Sequence, residues 1–232
     1  MAESLHSQVS KNDRDTHVKI PVDCISLECN QGKGAALAMG IRHISAQTSS
    51  TTDIYNSLVL IADADASADI TCLDDLYKAL QKLTMQPSSP DVQFTVPALV
   101  VGRRIYNDDS QVSPSRVILR WGFRTAVRIL CGDLGVSDTQ CGFKLMTLSA
   151  AEKLYHELNL QGWSHDVEVL LRAKLCRFLV TEHNVRWQDK EGSKLVTSAG
   201  GTVGASLQML WEIAQLRLSY SLGIWNFSYD SD

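Results

Sequence analysis

Hydrophobic and polar positions follow two periods along this chain. Short runs dominated by apolar residues, Val22 to Leu27 (VDCISL), Leu58 to Ala62 (LVLIA) and Ala98 to Val101 (ALVV), have strand length. Between them, Asn30-Gln31-Gly32-Lys33-Gly34 turns the chain into AALAMGIRHI, whose alanines, Leu37, Met39 and Ile41 suit a helix. Leu73 to Leu83 reads as a second helix, with Thr71 near its N-cap and Asp74 and Asp75 placed well for the helix dipole. Further on, Ser149-Ala150-Ala151-Glu152 has capping-box spacing and opens a helix through Leu158. His165 to Cys176 is helical in pattern and Phe178 to Trp187 reads as an edge strand. Gly204 to Leu222 is expected to be a long amphipathic helix with Leu207, Leu210, Trp211, Ala214 and Leu218 on its packed side. Strands alternating with helices predict an α/β domain with a mostly parallel sheet flanked by helices. Residues 1–17 are polar and without period, so they read as a tail, and 18–232 as one domain, since QPSSPD (Gln86 to Asp91) is too short to separate two.

Composition narrows the function classes. The 232 residues are 44% apolar and 21% charged with a net charge of -4, a globular balance that gives no overall attraction to nucleic acid. Six cysteines without CxxC spacing argue against zinc and for a reducing compartment, and the N-terminus has no apolar signal core. The apolar runs fall far short of the roughly 20 residues that cross a bilayer.

Charge placement says more than net charge. Asp63 and Asp65 stand at i and i+2 directly after LVLIA, where two hard oxygen donors suit Mg²⁺ or Mn²⁺ bridging a diphosphate; a turn or helix-capping cluster is the competing reading. Asn30 to Gly34 is compatible with a phosphate loop, but it matches no complete glycine motif and a tight turn carrying Lys33 is favoured. Arg116, Arg120, Arg124 and Arg128 recur every four residues among apolar neighbours, just after Arg103 and Arg104. They mark either a cationic face for lipid phosphate or a solvated helix face. Asp166 and Glu168 are candidates for a base or substrate contact, or simply first-turn acids of a helix. Cys141 in DTQCGFK reads as a small buried residue.

Taken in order, NQGKGAALAMGI, LVLIADADA, VVGRR, DTQCGFKLM, WSHDVEVL and EGSKL resemble the dolichyl-phosphate β-glucosyltransferases of glycosyltransferase family 2, from about Val22 to Trp225. The resemblance implies a GT-A-like (Rossmann-related) fold and transfer of glucose from UDP-glucose to dolichyl phosphate for protein N-glycosylation. The setting it implies is the cytosolic face of the endoplasmic reticulum membrane, with this chain peripheral. It further implies that Asp63 and Asp65 hold the metal and the donor diphosphate, that Lys33 lies near the nucleotide, and that Asp166, with Asp65, serves catalysis. Arg104, Arg116 and Arg120 would meet the acceptor phosphate. Another polyprenyl-phosphate glycosyltransferase, or an inactive homologue acting as a membrane-binding module, are the alternatives. The family's membrane anchor, first strand and acidic D-D turn have no counterpart here, so the fold is expected to be N-terminally incomplete. Ala66 and Arg103 replace a glycine and a serine of the family pattern.

Overall fold

In the computed structural model, residues 21–48, 50, 54, 56–84, 94, 96–106, 114–188, 201–225 and 227 are described. The polar N-terminal segment 1–17, Gln86 to Asp91 and the EGSKL segment lie outside them. The elements run α1 (Lys33–Gln47), β1 (Leu58–Ile61), a 3-10 turn (Ile70–Cys72), α2 (Leu73–Thr84), β2 (Ala98–Tyr106), α3 (Pro114–Cys131), β3 (Lys144–Thr147), α4 (Leu148–Tyr155), α5 (His165–Leu175), β4 (Leu179–Trp187) and α6 (Gly201–Ser221).

This is the α/β arrangement that the alternation predicts, with one change in the sheet. The strand order is β1-β3-β2-β4, and β2 and β4 pair in parallel from Ala98↔Leu179 to Tyr106↔Trp187. β3 is antiparallel to both β1 and β2, so β1, β2 and β4 share one direction but only one ladder is parallel. The cause lies in the loop before β3. Asp138 is bound to Arg104, and the Gly102 N–H donates to the Phe143 carbonyl at 2.8 Å. The chain is therefore held at the C-terminal end of β2 and must run back from there. β3 is KLMT, with a polar residue at each end, so no apolar run marks it as a strand, and hydrophobic pattern does not fix the direction of a buried strand.

The core is continuous. Leu99, Val100 and Val101 of β2, Met146 of β3, Leu76 and Leu80 of α2, Leu148 and Leu154 of α4, Leu170 of α5, and Ile213 and Leu216 of α6 are all shut from solvent. α2 covers β2 and β4, α1 packs on α4, and α3 packs on α6.

Four local expectations change. Val22 to Leu27 forms no strand, and Val22 and Ile25 are exposed, because this segment gains no ladder from any strand of the sheet. Asp69, not Thr71, caps the turn into α2, accepting from the Thr71 N–H. Thr147 caps α4 by accepting from the Ala150 N–H, leaving Ser149 inside the helix. In α6 the expected packed stripe is largely turned outward: Leu207, Trp211 and Leu218 are exposed, while Ile213 and Leu216 face the core. That helix is apolar around most of its circumference, so its period cannot choose the buried side.

One buried ion pair ties three elements together. Glu168 on α5 is fully buried, as is nearly all of Arg172 one turn later. Glu168 accepts from the Asn159 and Leu160 N–H groups, from Asn159 Nδ2, from Arg172 Nε and Nη2, and from the Tyr220 hydroxyl on α6. Arg172 also donates to the carbonyls of His156 and Glu157. Both charges are saturated, the condition under which such a pair is tolerated inside a protein. Glu168 is thus a packing residue and not a substrate contact.

Candidate active site

The acidic turn after β1 is held from both sides. Asp63 Oδ1 lies 2.6 Å from Lys33 Nζ, and these side chains keep only 26% and 22% of their surface exposed. On its other side the carboxylate rests against Gly142, where a Cβ would overlap Oδ2. Asp65 is exposed and its Oδ1 accepts from the Ser67 N–H at 2.9 Å, closing an Asx turn. Ala66 sits within that turn at φ 55°, the left-handed region that favours the glycine of the family pattern. Beyond it, Ser67 and Asp69 exchange backbone bonds with Gln188 and Arg186 at the end of β4, and Arg186 Nε meets Asp69 Oδ2 at 2.7 Å.

The glycines of the Asn30 to Gly34 turn serve packing. The Gly34 and Ala35 N–H groups both donate to the Gln161 carbonyl, at 2.8 and 3.3 Å. A Cβ on Gly32 would overlap that same carbonyl, and one on Gly34 would come within 2.7 Å of His165 Cβ. Of the two readings of this segment the tight turn holds, since the helix-start donors a phosphate would need are already engaged. The docking fixes Lys33 between Asp63 and the ring of Trp163, whose centroid is 5.6 Å from Nζ.

Beneath this lies a second, buried ion pair. Asp166 Oδ1 accepts from Lys144 Nζ at 2.7 Å and lies 3.2 Å from His165 Nε2, while His165 Nδ1 donates to the Gly162 carbonyl. Lys144 also donates to the Cys141 carbonyl. Burial pushes the Asp166 carboxyl up, but the Lys144 charge, then His165 and Lys33, hold it far below the usual carboxylate range. Asp166 therefore stays an anion that braces the Cys141 to Lys144 turn. Burial raises the Cys141 thiol to about 11, which fits the small-buried-residue reading.

Arg104 opens a neighbouring cleft. Its Nε and Nη2 bind both oxygens of Asp138 at 2.7 Å, and its guanidinium lies 5.5 Å from the Trp187 ring centroid. Burial works against the charge of Asp138, yet Arg104 and, more weakly, Arg124 keep its carboxyl low. Arg104, Arg124, Thr139 and Gln140 line the cleft, and Arg124 and Arg128 are exposed on α3. Arg103 turns the other way, to Asn184 and Glu182 on β4. Arg116 and Arg120 lie on α3, but their side chains are outside the described residues.

The structure thus gathers Lys33, Asp63, Asp65 and Asp166 at the C-terminal end of β1, with Arg104 at the end of β2. Arg124, from the four-residue arginine stripe, lines the cleft beside Arg104, and Gly142, Lys144 and Trp163 join the site without having been singled out by spacing. Lys144 carried one weak signal, a lysine set beside the apolar pair Leu145 and Met146. Among the described residues no three His, Cys, Asp or Glu side chains form a metal cage. Two carboxylates suit a Mg²⁺-type ion that takes its remaining ligands from phosphate and water.

The chain is similar to curated proteins over most of its length. It is 32% identical over 205 residues to the dolichyl-phosphate beta-glucosyltransferase of Saccharomyces cerevisiae, covering 87% of this chain and 56% of that protein. It is 32% identical over 207 residues to the human protein of that name, covering 88% and 57%, and 30% identical over 208 residues to that of Dictyostelium discoideum, covering 87% and 55%. The chain thus spans a little over half the length of the relatives it matches. No family model and no solved structure matches it. The resemblance carried by the motifs stands: this chain is a relative of the dolichyl-phosphate β-glucosyltransferases.

Proposed function

We propose that this chain transfers glucose from UDP-glucose to dolichyl phosphate. The observation that carries the reading is the acidic turn at the end of β1, which bears Asp63 and Asp65 with Lys33 2.6 Å from Asp63, in a relative of proteins named for this reaction. The acceptor phosphate oxygen attacks C1 of the glucose, the C1–O bond to UDP breaks, and UDP leaves with the electron pair. The acceptor is already an anionic nucleophile, so no strong base is required, and Asp166, kept ionised by Lys144, orders the site instead of moving a proton. Mg²⁺ or Mn²⁺ at Asp63 and Asp65 would supply charge stabilisation to the departing diphosphate. Arg104, fixed by Asp138, and Arg124 would hold the acceptor phosphate in the cleft, with Arg116 and Arg120 further along the same helix.

Calorimetric titration of UDP-glucose with Mn²⁺ tests the donor site. Wild type is expected to bind in a metal-dependent way, and Asp65→Ala at least about tenfold more weakly. Equal binding by both proteins would remove the assignment.

The acceptor brings a lipid surface into the reading. No helix among the described residues is long and apolar enough to cross a membrane. Exposed Trp121 and Ile129 on α3 flank Arg124 and Arg128, and α6, packed on α3, exposes Leu207, Trp211 and Leu218. Aromatic and aliphatic side chains interspersed with arginine suit the headgroup boundary of an anionic bilayer, here the cytosolic face of the endoplasmic reticulum. Flotation with anionic vesicles is expected to show binding that weakens with salt but persists. Arg124→Gln with Arg128→Gln should remove the salt-sensitive part and Trp211→Ser the remainder. Binding unaltered by either change would return these helices to plain solvent.

A further inference from the structure

We propose that Lys33 is a stand-in for the divalent cation, occupying the metal-facing oxygen of Asp63 until a metal and a diphosphate arrive together. This deepens the donor reading above and rests on it. Asp63 is closed in on two sides: Gly142 lies against the carboxylate, and the ammonium of Lys33 sits 2.6 Å from Oδ1. A divalent ion reaching Oδ1 meets the ammonium already bound there, and two positive charges held that close repel, so ion and lysine compete for the carboxylate.

The placement of Lys33 is not explained by its own helix. It is the first residue of α1, where a positive charge opposes the helix dipole. It is held there by the docking of Gly32 and Gly34 on Gln161, which orders the backbone on both sides of the lysine. The displaced ammonium also has somewhere to go. The Trp163 face lies beside it at 5.6 Å, and the buried anion Asp166 already feels its charge. From there it stays next to the diphosphate that the metal carries. Lys33 therefore opposes metal alone and favours metal with diphosphate, so the two ligands bind more tightly together than singly.

The test separates these opposite signs. Mn²⁺ binding is followed by electron paramagnetic resonance on the whole chain, without nucleotide and with UDP, for wild type, Lys33→Met and Lys33→Arg. Lys33→Met is expected to raise Mn²⁺ affinity without nucleotide about two- to fivefold, the span of a partly exposed ion pair. With Mn²⁺ saturating, the same variant should bind UDP about tenfold more weakly for want of the ammonium. Lys33→Arg should keep the wild-type order of both. In the wild-type chain, Mn²⁺ alone should raise the labelling of Lys33 by an amine-reactive reagent, read by mass spectrometry against the other lysines, and this arm does not depend on a variant folding. Unchanged or lower Mn²⁺ affinity in folded Lys33→Met, or Lys33 labelling indifferent to Mn²⁺, overturns the proposal while leaving the donor site intact. Failure of the wild type to take up Mn²⁺ even with UDP overturns the donor reading itself, and this proposal with it.

Discussion

Replacing Gly142 by alanine is expected, on the proposed function, to lower glucosyl transfer on the order of 100-fold while leaving the melting temperature close to that of wild type. The added methyl would occupy the place of the Asp63 carboxylate, which must rotate away and so lose Lys33. A catalytic group moved by about 1 Å costs about two orders of magnitude in rate. The ion pair it gives up is partly exposed and contributes only about 0–1 kcal/mol to stability. Gly40→Ala is the control, since nothing lies within 4 Å of a Cβ there and a glycine inside a helix costs about 1 kcal/mol relative to alanine. Transfer kinetics and thermal melts on both variants decide the matter; Gly142→Ala with near-normal kcat/KM would show that the Asp63 carboxylate need not stand where the structure has it.

Glu168→Ala is expected to do the reverse, with stability collapsing while no substrate contact is touched. The change strands the Arg172 guanidinium, 2% exposed, and withdraws the acceptor from Asn159, Leu160 and Tyr220 at once. Removing one partner of a buried pair costs about 3–5 kcal/mol, a large share of the roughly 5–15 kcal/mol that holds a domain folded. Urea denaturation gives the size directly. The double change Glu168→Leu with Arg172→Met should recover most of the loss, because a buried pair exchanged as a unit for apolar groups is near neutral. A single variant that melts within a degree or two of wild type would mean that water reaches this pair and shields it.

What could be read from the sequence divides along the range of the interactions. β1 and the first four residues of β2 were legible because LVLIA and ALVV are apolar runs, while the GRRIY half of β2 reads as a basic segment, and α1, α2 and α5 were legible because their periods are local. Asp63 and Asp65 were legible for the same reason, as neighbours along the chain. β3 was not, since four residues opened by a lysine resemble a surface segment. That lysine is inside only because Asp166, 22 residues later, receives it. Glu168 looked like an ordinary first-turn acid because its partners are contributed by the preceding loop, the next helical turn and α6. The inverted face of α6 was hidden by an excess of apolar residues, which leaves periodicity with nothing to distinguish.

The bonds from the acidic turn to β4 also set a schedule for the ribosome. Asp69 meets Arg186 across 117 positions and Thr71 meets the same arginine across 115, so the turn carrying Asp63 and Asp65 is made early and fastened late. At about 5–20 residues per second, translation leaves it without its anchor for roughly 6–24 s, far longer than the microseconds in which a helix such as α2 forms. The parallel β2–β4 ladder has to wait as well, and such distant pairing belongs to the slow end of folding. Throughout that interval the nascent chain carries an acidic turn without its β4 anchor and a β2 whose β4-facing edge is open, even once β3 has paired with its other edge. A stalled or shortened message that stops before Arg186 would release a polypeptide with most of the core residues but without the β4 bonds that fasten the acidic turn.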